Sequence, residues 1–190
     1  MNSFFAYIAR LRYIRRWALM RNSDEENVQE HSHMTAVLAH ALALIRNRCF
    51  GGNADADAIA VMALYHDATE ILTGDMPTPI KYANPALRES YRLVESTAAE
   101  KLLASLPEDL RGDYRDILRP EGENERLIKA ADKLSAYIKC LEELKAGNDE
   151  FRKAAEQTRA ALESYDLPEL HYFMEHFLPP FTLTLDELDK

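Results

Sequence analysis

A histidine and an aspartate stand side by side, His66-Asp67, near the end of the apolar stretch Ala58-IAVMALYHDATEIL. A charge buried in such a setting must be paired or bound to a metal ion. Imidazole nitrogen and carboxylate oxygen are donors that Mn, Fe, Co and Zn accept. Glu70 follows close behind, and helical spacing puts all three side chains on one side of a helix. An ordinary polar helix end, with Asp67 and Glu70 solvated, has the same spelling. More ligands elsewhere in the chain must separate the two readings.

The remaining histidines are 31, 33, 40, 171 and 176. Leu38, Leu42 and Ile45 form an apolar stripe on the segment that carries the first three. At roughly 100° per residue His31 falls near the centre of that stripe, and His33 and His40 fall on the solvent side. His31 is therefore a satisfied core histidine or a ligand. Asp132 is the only acid in Lys129-AADKLSAYIKCL. Its stripe, Leu127, Leu134, Ile138 and Leu141, leaves it off centre, as a surface aspartate would be. Its small and apolar flanks allow a helix packed on more than one side.

These residues need rigid carriers, and the pattern supplies helices. Glycine and proline are few, and strand-type alternation does not recur. Helices are expected at about 4–13, 24–48, 55–72, 85–105, 108–118, 124–146, 149–164 and 167–177. Ser23-Asp24 punctuates the start of the second, and Gly51-Gly52 follows it. Residues 73–85, Thr-GDMPTPIKYAN-Pro, read as a rigid polar loop beside His66-Asp67 that could wall a pocket. No repeat or linker divides the chain, so residues 1–190 are expected to form a single all-α domain.

The formal charge of −9 argues against a nucleic-acid polymer or an anionic membrane as partner. An anionic substrate would need a local positive centre. No apolar run reaches the ~18–20 residues of a membrane span. Cys49 and Cys140 make no disulfide framework and read as buried or half-buried thiols of a cytoplasmic protein. The basic start, MNSFFAYIARLRYIRRW, lacks the apolar core and cleavage site of a signal peptide.

A histidine, a His-Asp pair and a distant aspartate in helical context resemble the HD-domain metal-dependent phosphohydrolases. The local text is more specific. Phe4-Phe5, Arg16-WALMRN, Asn27-VQEHS, Tyr65-HDATEILTGDMPTPI and Lys139-CLEELKAGN are similar to the bacterial 5′-deoxynucleotidase YfbR subfamily. The likeness is closest at residues 4–82 and 127–151 and thin from Arg88 to Asn124. It implies an HD-domain helical bundle, a homodimer, and a divalent transition metal such as cobalt, manganese or copper. It implies hydrolysis of 2′-deoxyribonucleoside 5′-monophosphates to deoxynucleoside and phosphate. By position, His31, His66, Asp67 and Asp132 match the metal ligands. Arg16, Trp17 and Asp75, Met76, Pro77 and Thr78 match substrate-contacting residues, with His66 and Asp132 also facing substrate. Glu70 and Arg16 match catalytic residues. Ala18 departs from the family, where proline is frequent. His33, two residues past His31, is not the ligand by the Glu-His-Ser match.

Two imidazoles and two carboxylates would bring a divalent ion near electrical neutrality. Arg16 offers a planar fork for a phosphate. The indole of Trp17 could exclude a 2′-hydroxyl, and Asp75 could accept from a 3′-hydroxyl. Two alternatives stand beside this reading. One is an HD phosphohydrolase for triphosphates, cyclic dinucleotides or guanosine polyphosphates, against which the scarcity of Lys and Arg beyond Arg16 and Lys81 weighs. The other is a helical nucleotide-binding module without catalysis.

Overall fold

The computed structural model describes residues 2–81 and 84–189, leaving out the side chains of residues 78 and 79. In chain order the helices are α1 (Phe4–Ile8), α2 (Val28–Cys49), α3 (Ala56–Leu64), α4 (Glu70–Thr73), α5 (Thr78–Lys81), α6 (Pro85–Ala104), α7 (Arg111–Leu118), α8 (Gly122–Lys145), α9 (Arg152–Glu163), α10 (Pro168–His176) and α11 (Leu185–Leu188). Among the described residues there is no strand, only an antiparallel bridge between Arg15 and Asn27. The molecule is an all-α helical bundle, as expected. No described helix is long and apolar enough to cross a membrane.

The two longest helices, α2 and α8, pack against each other along the stripes read from the sequence. Leu38 and Leu42 meet the core with Leu127, Leu134 and Ile138, all at most 3% exposed. Each such side chain contributes roughly 1.5–3 kcal/mol on burial. Small residues on α2 and α8, Ala39, Ala43, Ala130 and Ala131, are also buried there. The helices α3, α9 and α10 close this first core. A second, smaller core gathers Phe4, Leu102, Leu103, Leu106 and Leu118 with Ala68. Phe4 docks α1 through ring contacts to Tyr65 and Tyr114.

Local chemistry moved several boundaries. The expected helix at 24–48 starts only at Val28, and its cap is Asn27 rather than Ser23-Asp24. Asn27 accepts from the Glu30 backbone N–H while the Glu30 carboxylate accepts from the Asn27 N–H. Residues before it pair back on the chain, with Arg16 N–H donating to Glu26 C=O (2.9 Å) and Val28 N–H to Ile14 C=O (3.0 Å). The helix expected at 4–13 breaks after Ile8 and resumes as a 3₁₀ turn at Leu11–Tyr13.

The helix expected at 55–72 stops at Leu64. From Tyr65 onward the chain runs in tight turns, Ala68 N–H to Tyr65 C=O (2.9 Å) and Glu70 N–H to Asp67 C=O (3.0 Å), before α4. The expected loop at 73–85 contains the one-turn helix α5, and residues 82 and 83 of it lie outside the described residues. Gly74 bends the chain out of α4 at φ +74°, a conformation that favours glycine. Cys140 is buried, but Cys49 is exposed, contrary to expectation, because it closes α2 on the solvent side.

Candidate metal and substrate site

Three segments bring the four candidate ligands together. His31 lies on the buried face of α2, fully enclosed. Its Nδ1 sits 3.2 Å from Ser135 Oγ on α8, and its Nε2 sits 3.0 Å from Asp132 Oδ1. Asp132 is thus turned into the site, although helical phase alone put it at the surface. Its helix packs on α2, α3 and α9, so more than one of its faces is covered. His66 and Asp67 come from the turn after α3. One donor atom each from His31, His66 and Asp67 lie within 4.8 Å of one another. Asp132 joins them through His31.

The turn at His66 explains why the helix ends there. His66 Nδ1 lies 2.7 Å from the Ala63 carbonyl and donates to it. That bond leaves Nε2 as the nitrogen facing the site. This Nε2 is buried and has no hydrogen-bond partner among the described residues. Asp67 Oδ2 lies 3.1 Å away, without the alignment of a hydrogen bond. A buried imidazole nitrogen set among carboxylates is a donor set that suits a cation.

The electrostatics agree. Burial lowers the pKa of His66, but Asp67 and Asp132 outweigh it and raise the group to about 9. Burial would raise Asp67, yet His66 and His31 hold it down at about 2. Asp132 is held well below the usual carboxylate range against its own burial, chiefly by its hydrogen bond to His31. Glu70 moves the other way. Burial, then Asp67 and Asp75, push it up to about 10. Its Oε2 is buried without a partner among the described residues. Asp75 is raised by burial, against the opposing pull of Arg16. Acids outnumber cations here, and the repulsion among Glu70, Asp67 and Asp75 marks a centre short of positive charge.

The helical argument that placed Glu70 beside His66 and Asp67 reached the right neighbourhood by the wrong geometry. The three do not share one helix face; the turns at 65–69 fold Glu70 back toward Asp67. Met76 and Pro77 are half-buried in the loop after Gly74. Thr78 begins α5, and its side chain lies outside the described residues. His33 is exposed, as expected. His40 was expected in solvent but is half-buried, with Nε2 3.4 Å from Asp57 of α3.

Arg16 and Trp17 arrive from the segment between α1 and α2. Arg16 is largely buried, with Nε 3.1 Å from Glu26 Oε2 and Nη1 3.5 Å from Asp67 Oδ2. Burial would lower its pKa, but Asp67, Asp132 and Glu26 raise it, so it stays charged. Trp17 has φ +56°, the only non-glycine described residue in the left-handed region. Its indole packs against Phe151 at 5.3 Å between centroids, and Nε1 donates to Glu26 Oε2 at 3.0 Å.

The chain belongs to the 5′-deoxynucleotidase YfbR-like family. The family model matches residues 3–181. A 5′-deoxynucleotidase of Yersinia pestis (strain Pestoides F) is 50% identical, the match covering 99% of this chain and 97% of the relative. One from Yersinia pseudotuberculosis serotype O:1b is equally similar over the same shares. Among solved structures, an HD-domain phosphohydrolase from Listeria innocua has the same fold, with a TM-score of 0.84 at 23% identity over 99% of this chain and 92% of that one. A cyanophage S-2L HD phosphohydrolase, bound to dA and one catalytic Zn2+ ion, superposes with a TM-score of 0.64 at 22% identity, covering 94% of this chain and 96% of its own. The fold is that of the HD-domain phosphohydrolases.

Within this YfbR-like chain, sequence reasoning missed the residues that hold the site from behind. Ser135 stands one helical turn after Asp132, and that spacing was the available signal. Lys139, Glu143 and Asn148, present in the quoted text Lys139-CLEELKAGN, anchor the Arg16–Trp17 segment. The buried Glu143 carboxylate accepts from the backbone N–H of Ser23 (2.8 Å) and Asp24 (3.2 Å), from Lys139 Nζ (2.6 Å) and from Asn148 Nδ2 (2.8 Å). Lys139 also donates to the Asp24 carbonyl, and Asn148 to that of Arg21 (2.7 Å). Glu26 gave no signal, since Asp24-Glu25-Glu26 reads as a solvated acidic run.

Proposed function

We propose that this chain hydrolyses 2′-deoxyribonucleoside 5′-monophosphates to deoxynucleoside and phosphate. The ion is one divalent transition metal, cobalt, manganese or copper, and His31, His66, Asp67 and Asp132 hold it. The observation that carries the reading is the convergence of His31, His66 and Asp67 donor atoms within 4.8 Å, with His66 Nε2 unpartnered. When bound, the ion supplies positive charge that polarises a phosphoryl oxygen and lowers the pKa of water.

Arg16 binds the phosphate. A guanidinium has five N–H donors, so its contacts to Glu26 and Asp67 leave others for phosphate oxygens. It also offsets an acidic surface that would repel the substrate. Glu70 Oε2 exchanges a proton with the attacking water or the departing 5′-oxygen. Trp17 closes the side of the sugar that a 2′-hydroxyl would occupy, and Asp75 accepts from the 3′-hydroxyl. Met76, Pro77 and Thr78 complete that wall, with His66 and Asp132 also facing substrate. The reading takes residues 1–190 as one HD phosphohydrolase domain. The family resemblance supports a homodimer, and two unpaired thiols support the reducing cytoplasm.

Elemental analysis and phosphate release from dAMP and AMP test this together. The wild type should carry metal and favour dAMP. His66→Ala should lose both metal and activity. Glu70→Ala should keep its metal while turnover falls by about 10²–10⁴-fold. Activity that survives His66→Ala would remove the metal centre from the chemistry.

A further inference from the structure

Among the described residues Glu26 makes no hydrogen bond to a candidate ligand, yet two of the candidate substrate residues, Arg16 and Trp17, hang from it. One of its carboxylate oxygens, Oε2, accepts from Arg16 Nε at 3.1 Å and from Trp17 Nε1 at 3.0 Å. Its backbone carbonyl accepts the Arg16 N–H at 2.9 Å. Glu26 therefore grips the segment through main chain and side chain at once. The grip lies beside Trp17, whose φ of +56° is the one left-handed value among the described non-glycine residues. Left-handed geometry is unfavourable for a bulky residue. Such a conformation persists only where its surroundings over-determine it.

We infer that Glu26 is a positioning residue that fixes the angle between the Arg16 guanidinium and the Trp17 indole, and through it the discrimination against ribonucleotides. The inference rests on the deoxynucleotidase reading above. Arg16 addresses the phosphate end of the substrate and Trp17 the sugar end. An oxygen shared by both side chains makes their separation a fixed distance. Freed of Glu26, Arg16 keeps its contact of 3.5 Å to Asp67 and turns toward it. The indole then keeps its stacking on Phe151 but loses the anchor that sets its rotation. A rotated ring admits a 2′-hydroxyl. Glu26 meets Arg16 at Nε and Asp67 meets it at Nη1, so the two carboxylates use different guanidinium nitrogens.

The test compares kcat/KM for dAMP and AMP in wild type, Glu26→Asp and Glu26→Gln. Glu26→Asp keeps the charge but withdraws the oxygen by one methylene. Glu26→Gln keeps an acceptor at full reach. The dAMP-to-AMP ratio should fall by about tenfold in Glu26→Asp, the loss expected of one charge-assisted hydrogen bond, with KM rising for both substrates. Glu26→Gln should stay within about threefold of wild type, because a carbonyl oxygen can still accept both N–H groups. Trp17 is the chain's single tryptophan, so its emission reads the ring directly without substrate. Emission should shift to the red in Glu26→Asp and not in Glu26→Gln. An unchanged ratio in Glu26→Asp, or an equal fall in both variants, overturns the inference while wild type still prefers dAMP. A wild type that does not prefer dAMP overturns the reading beneath it. A purely structural role predicts equal losses on both nucleotides, which also overturns the inference.

Discussion

At the scale of single residues, two hydrogen bonds set the chemistry of the centre. Each orients an imidazole from its far side. His66 Nδ1 donates to the Ala63 carbonyl, and His31 Nδ1 meets the buried Ser135 hydroxyl at 3.2 Å. Partners of this kind fix which nitrogen is presented and raise its basicity. Ser135→Ala should leave the fold intact, since the side chain it removes is small. Metal affinity should fall by about 10–100-fold, measured by competition with a chelator of known strength. Unchanged affinity would mean that packing alone orients His31. The Ala63 carbonyl admits no such substitution, so the His66 arm is the more robust of the two. This division was half legible: Ser135 follows Asp132 at helical spacing, but no side-chain pattern encodes a backbone acceptor.

At the scale of elements, α8 does two jobs. Its middle offers Asp132 and Ser135, and its last turn holds the segment between α1 and α2, at Ser23 and Asp24, through Glu143. Burial would raise the pKa of Glu143, but its hydrogen bonds from Lys139, Asn148 and the Ser23 and Asp24 backbone lower it to about 2. A lowered carboxylate pKa stabilises the fold above the ordinary value, and that contribution fades as pH falls toward the folded one. Glu143→Gln should cost about 3 kcal/mol near neutrality, the order expected when one partner of a buried pair is removed. The gap in melting temperature between the two proteins should narrow from about pH 4.5 downward. A gap that stays constant into acid would show that the charge of Glu143 does not carry the effect.

The helices themselves were largely readable, because α2 and α8 bury regular stripes. Two features were not. Asp132 sits off its stripe, half-exposed, and is drawn into the site by His31 on a neighbouring helix, which periodicity on one helix does not report. The turn at 65–69 spells like helix throughout, and what breaks it is a side chain competing for a carbonyl. The site residues in that turn were found through their chemical types and the family text rather than through their local geometry.

At the scale of the molecule, the His66-Asp67 turn stands between two cores. Ala63, before it, belongs to the larger core of α2, α3 and α8, and Ala68, after it, belongs to the smaller one built on Phe4 and Leu102. His31 and Asp132 are carried wholly by the larger core. An ion gripped by all four is a rivet across a seam, and its binding energy is shared by both sides. Its removal should therefore loosen the two halves unequally. With chelator present, amide hydrogen exchange should quicken in α1 and the last turns of α6 well before it does in the middle of α8, and added metal should reverse this. Uniform quickening would mean that the bundle opens as one unit. If the rivet holds, a cell short of metal would meet a chain whose smaller half frays first, and proteases would find it from the amino-terminal end.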